Sequence, residues 1–112
     1  MKKISAVVRP EKMEPLKKAL FQAGLSGMTI SQVHGCGNQH GWKEYFRGHE
    51  IFLNMVQKVK FELVVNDEDV DKIINVIVAT ARTGEVGDGK IFVSGIDEVI
   101  RIRTGERGAS AV

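Results

Sequence analysis

The chain has 112 residues, 43% hydrophobic and 27% charged, with sixteen Lys and Arg against fourteen Asp and Glu for a formal charge of +2. That length suits one domain able to bury roughly two-thirds of its unfolded surface, and no stretch approaches the roughly 20 apolar residues that span a bilayer. The small cationic excess gives no argument for a nucleic-acid or direct membrane partner, and a lone cysteine, Cys36, excludes an internal disulfide and a thiolate zinc site.

The opening MKKISAVVRPEK has too few apolar residues before Arg9 and Pro10 for a signal peptide, so a cytoplasmic location is expected. Lys2 to Val8 reads as a strand that Pro10 ends. Met13, Leu16 and Leu20 then recur at helical spacing, with Pro15 tolerable only in the first turn and Gly24 and Gly27 closing the helix. MTISQVHG, rich in β-branched residues, is the next strand.

Gly35 to Glu50, GCGNQHGWKEYFRGHE, has the composition of a loop yet carries Trp42, Tyr45 and Phe46. In VQKVKFELVV, Val59, Phe61, Leu63 and Val65 alternate with Lys58, Lys60 and Glu62, the pattern of a half-buried strand. Asn66 is a suitable N-cap, and Asp67, Glu68 and Asp69 favour a helix start. That helix runs from about Asp69 to Arg82 with Val70, Ile73, Ile74, Ile77 and Ala81 on one face. After TGEVGDG, KIFVSGIDEVIRIR reads as one or two strands separated by Gly95, with Phe92, like Phe61, expected in the core.

This order is βαββαβ, an α+β ferredoxin-like sandwich over residues 1–112 with helices on one sheet face. The strands on either side of roughly twenty intervening residues would ordinarily be joined by a short hairpin, and loops of that length in compact domains are usually functional or disordered. The uncovered sheet face favours self-association.

Gly84 to Lys90 fits the G-x-x-x-x-G-K part of a P-loop, but Ile91 stands where Ser or Thr must hold magnesium, and the segment runs from helix to strand. A P-loop NTPase is therefore rejected. Gly87, Gly89 and Lys90 remain compatible either with a phosphate cradle or with a plain helix cap and turn. Arg101 and Arg103 share one face of the expected last strand, opposite Ile100 and Ile102, and suit either a bound phosphate or a solvated edge near Glu98 and Glu106. His34, His40 and His49 are scattered, and no catalytic constellation stands out.

RPEK, GLSGMT, GCGNQ, YFRGHE, VKFELVV, TGEVGDGKIFVSGI and RIRTGE occur in that order, and with them the chain resembles the P-II nitrogen-regulatory signal-transduction proteins over almost its whole length. The resemblance implies a nonenzymatic homotrimer that binds ATP or ADP competitively between subunits and takes 2-oxoglutarate with MgATP at the base of a T-loop, about residues 37–56 here. It implies a nucleotide site of Gly35, Cys36, Gly37, Asn38, Gln39 and Val64 with Gly87, Asp88, Gly89 and Lys90, Arg101 and Arg103 coming from the neighbouring subunit and Thr29 near the base. Gln39, Gly41 and Lys58 match the 2-oxoglutarate positions, with Gln39 also on the Mg2+. The implied target is an ammonium channel or a nitrogen-metabolism enzyme, so that any membrane association is indirect; Trp42, Tyr45 and Phe46 are candidate anchors for it.

The chain departs from the family pattern where the uridylylated tyrosine would be, since Ile51 stands there. Asn38 replaces a common arginine and Cys36 a common phenylalanine. Three other readings are a related trimer sensing another small molecule, a slow nucleotide-processing enzyme, and an RNA-recognition module. The last needs stacking aromatics on central strands, and Phe61 and Phe92, the only strand aromatics, are both expected in the core.

Overall fold

The computed structural model describes residues 1–36, 42–46, 49–53 and 55–112, with side chains described in 1–36 and 55–112. Alternation in β5 (Met55–Val65) sets the architecture. Val59, Phe61, Leu63 and Val65 all point to one side and are at most 3% exposed. β5 pairs antiparallel with β1 (Lys2–Val8), Ile4 opposite Leu63, and with β2 (Thr29–Cys36), Ile30 opposite Phe61. β1 in turn pairs antiparallel with β6 (Lys90–Gly95), Ala6 opposite Ile91. The sheet order is β2-β5-β1-β6, so two strands adjacent in this sheet, β1 and β6, lie at opposite ends of the sequence.

Two helices cover one face, as ferredoxin-like α+β topology requires. α1 (Met13–Gln22) buries Leu16 and Leu20, and α2 (Val70–Ala81) buries Ile73, Ile77 and Ala81; these join Ile4, Ala6, Val8 and the β5 residues in one core, with Val70 and Ile74 packed at its margin. Pro15 is the third residue of α1, where its missing N–H has no intrahelical partner to lose. Gly24 closes the helix at φ +97°, with Gly24 N–H donating to the Phe21 carbonyl at 3.0 Å and Leu25 N–H to the Leu20 carbonyl at 3.2 Å. Asn66 caps only a 3-10 turn over Asp67–Asp69 and makes no side-chain capping bond; α2 starts after it.

Four expectations are corrected. First, a hairpin of β3 (Trp42–Phe46) and β4 (His49–Leu53), Trp42 opposite Leu53, lies within the expected loop. Aromatic and β-branched residues there support strand structure despite the glycines. Second, Met55 and Val56 belong to β5, paired with Cys36 and Gly35, so residues 37–54 rather than 37–56 separate β2 from β5.

Third, Phe92 is 57% exposed, because its register opposite Ser5 puts it on the face away from the helices while Ile91 packs on the core. Fourth, the strand expected over Arg101 and Arg103 does not form. Ile100 makes one isolated bridge to Arg107, and the chain between them turns back, with Gly105 N–H donating to the Arg101 carbonyl at 2.7 Å and Arg101 N–H to the Glu106 carbonyl at 2.9 Å. Ile102 at the turn is fully exposed. Among the described residues no helix is long and apolar enough to cross a membrane.

Candidate functional site

The connection from α2 to β6, residues 82–89, is folded around one carboxylate. Asp88 accepts from the backbone N–H groups of Thr83 and Gly84, each at 2.8 Å, and from the Thr83 hydroxyl. Arg9 adds its Nε at 3.0 Å from Asp88, while its Nη2 donates to the Val86 carbonyl at 2.8 Å. The Thr83 donors, followed by the Arg9 and Gly84 donors, hold the Asp88 carboxyl well below the usual carboxylate range. An ionised Asp88 thus spends its acceptor capacity on its own loop. Gly87 and Gly89 have φ of +102° and +96°, a conformation that favours glycine. Among the described residues the N–H groups of Gly87 and Gly89 have no acceptor, while that of Asp88 closes the turn over Val86 and Gly87; the two free donors are of the kind that binds anions.

This loop borders a cleft of about 580 Å³ on the sheet face opposite the helices, lined also by Gly35, Cys36, Lys58, Lys90 and Phe92. Lys58 is only 8% exposed and donates through Nζ to the Gly87 carbonyl. A Cβ on Gly35 would stand 3.4 Å from Lys58 Cγ, so the backbone of β2 lies against the lysine stem. Even-numbered β5 residues share this face, because their odd neighbours are in the core.

A second cleft, of about 700 Å³, lies toward the other end of β5 and is lined by Thr29, Glu62, Val64 and Arg101 among others. Lys58 and Val64 are six residues apart on one strand, about 20 Å at strand rise. Glu62 sits between Lys60 at 3.2 Å and Lys3 at 3.3 Å, which lower its pKa, Lys60 foremost. Arg101 reaches Glu106 at 3.7 Å and the Ser110 carbonyl at 3.5 Å, while Glu98 pairs with Arg107. Arg103 is exposed and, among the described residues, has no ion pair.

The nucleotide residues expected from sequence therefore fall into two groups. Gly35, Cys36, Gly87, Asp88, Gly89 and Lys90 meet in one cleft together with Lys58; Thr29, Val64 and Arg101 meet in the other. Val64, grouped with Gly35 and Cys36 on sequence, lies instead with Arg101. Gly37, Asn38, Gln39 and Gly41 lie outside the described residues, as do the side chains of Trp42, Tyr45 and Phe46. Sequence reading missed Arg9 and Thr83 as the groups that hold Asp88. The only cue was Arg9 at the strand end before Pro10, a corner that a later loop could reach.

An antiparallel four-stranded α+β sheet with paired helices defines a ferredoxin-like chain, here with two separated clefts. The family model described as nitrogen regulatory protein P-II matches residues 1–106. Over all 112 residues the chain is 54% identical to nitrogen regulatory protein P-II 2 of Methanothermobacter thermautotrophicus, covering 97% of that protein. It is 52% identical to nitrogen regulatory protein P-II of Nostoc punctiforme and 49% identical to that of Synechocystis, covering the whole of each. The chain belongs to the nitrogen regulatory protein P-II family, a family of signal-transducing regulators.

Proposed function

We propose that the chain is a nonenzymatic sensor that assembles as a homotrimer, binds ATP or ADP between subunits, and takes 2-oxoglutarate with Mg2+ beside the nucleotide. The observation that carries this reading is the division of the expected ligand residues between two clefts toward opposite ends of β5, at Lys58 and at Val64, about 20 Å apart along the strand. Each cleft alone holds half a site. A neighbouring subunit that brings its Thr29, Val64, Arg101 and Arg103 to the Gly87 to Lys90 loop completes one, and the same packing covers the open sheet face.

The residues fit the ligands chemically. Amide donors at Gly87 and Gly89 and the Lys90 ammonium suit polyphosphate, and Arg101 and Arg103 add forked donors. Lys58, nearly buried, has a carbonyl and no carboxylate as its partner among the described residues, which suits an acidic effector. Gln39 and Gly41 complete that effector site, with Gln39 on the metal. Asp88, saturated by its own loop, is unavailable as a general base, in keeping with a binding rather than a hydrolytic role.

Ligand state then selects the posture of residues 37–54, through which an ammonium channel or a nitrogen-metabolism enzyme is controlled, with Trp42, Tyr45 and Phe46 as anchors. Titration calorimetry tests the ligand reading. ATP binds, 2-oxoglutarate with Mg2+ strengthens it, and Lys58→Ala abolishes that synergy while ATP alone still binds. Absence of heat with either nucleotide contradicts the proposal. For the anchors, Trp42→Ala and Tyr45→Ala weaken partner capture; unchanged capture excludes that role.

A further inference from the structure

Arg9 stands at the end of β1, one residue beyond Val8, and it is the group through which the α2–β6 loop is fastened to the sheet. Its Nε meets Asp88 at 3.0 Å and its Nη2 meets the Val86 carbonyl at 2.8 Å, so one guanidinium grips the loop on both sides of Gly87. The reach is long in sequence, 79 residues to Asp88 and 77 to Val86, and short in space. The guanidinium is partly covered, with 22% of its side chain exposed, and the Asp88 side chain is 24% exposed. A third contact fixes the same corner, because Gly89 lies directly over the Val7 carbonyl. With Val86, Asp88 and Gly89 all tied to the end of β1, the orientation of the amides at Gly87 and Gly89 is set before any ligand arrives.

From this geometry we infer that Arg9 is a positioning residue for polyphosphate binding: it acts through Asp88 and the Val86 carbonyl to hold the amides of Gly87 and Gly89 in their anion-facing arrangement. The inference rests on the nucleotide reading above. It assigns Arg9 no contact with the ligand, and it makes the planar fork, rather than the positive charge, the property that matters. Preorganised donors bind more tightly because the ordering cost is met in the free protein.

The test is ATP calorimetry on wild type, Arg9→Gln, Arg9→Lys, Asp88→Asn and the Arg9→Gln/Asp88→Asn double variant, with hydrogen exchange of peptides spanning residues 83–90 and 59–65. Arg9→Gln is expected to bind ATP about tenfold more weakly, with Arg9→Lys in between. Exchange quickens in 83–90 and stays unchanged in the core strand 59–65, which shows that the fold is intact. In the Asp88→Asn background the further loss from Arg9→Gln is much smaller than in wild type, because the partner is already gone.

Equal affinity of Arg9→Gln and wild type overturns the inference. So does an equal loss in both backgrounds, which means Arg9 meets the phosphates itself, and so does full recovery with Arg9→Lys, which means charge alone suffices. Failure of wild type to bind ATP is a different result. It removes the nucleotide reading, and this role with it.

Discussion

Gly89 crosses the end of β1 so closely that a Cβ on it would lie 1.7 Å from the carbonyl oxygen of Val7. The residue is also held at φ +96°, so a side chain there meets both a steric and a conformational penalty. Gly89→Ala is expected to lower stability by about 2 kcal/mol or more, measured by urea unfolding, because the loop must lift away from the strand. ATP affinity falls with it. An unchanged unfolding midpoint would show that the loop has room to move.

Asp88 gives the same loop a pH signature. Its folded pKa is depressed below its ordinary 3.8 by the Thr83, Arg9 and Gly84 donors. For a depressed carboxyl the stabilisation is present above the unfolded value and is lost as pH falls through the folded one. Wild type is therefore expected to exceed Asp88→Asn in melting temperature by a constant margin from pH 7 to about pH 5, and the margin narrows steadily below about pH 4. A margin that stays level down to pH 2 contradicts the carboxylate's role.

Arg101 at the base of a turn and Arg103 on it belong to no strand, so neither contributes to a sheet ladder or to the core. Arg103→Ala is expected to weaken ATP binding by about tenfold to a hundredfold, the scale of one or two lost charge-assisted bonds. The sedimentation coefficient of the assembly remains that of wild type. Dissociation into smaller species would instead make Arg103 an interface residue.

Much of the fold was legible because burial leaves a periodic trace. Val59, Phe61, Leu63 and Val65 mark a strand with one buried face, and Ile73, Ile77 and Ala81 mark a helix stripe. The pattern says less where neighbours decide. Phe92 looks like a core residue until its register with Ser5 turns it outward, and the alternation in Ile100 to Arg103 suits a strand, yet among the described residues only the Ile100–Arg107 bridge forms there.

The site was legible in its composition but not in its arrangement. Gly87, Gly89 and Lys90 are readable as an anion loop, yet nothing local links Arg9 to Asp88, a contact made only once the sheet brings distant segments together. The separation of Val64 from Gly35 likewise follows from strand register, which places Val64 and Gly35 in different clefts of one chain.

That division is most directly tested by mixing. Lys90→Ala damages one flank of the nucleotide cleft and Arg101→Ala the other, and each variant alone is expected to bind ATP poorly. Unfolded together and refolded as a mixture, they should recover ATP binding in roughly a quarter of the clefts, since a complete cleft needs an intact flank from each kind of chain. Recovery at that level places the nucleotide between subunits; a mixture that binds no better than its two components contradicts it.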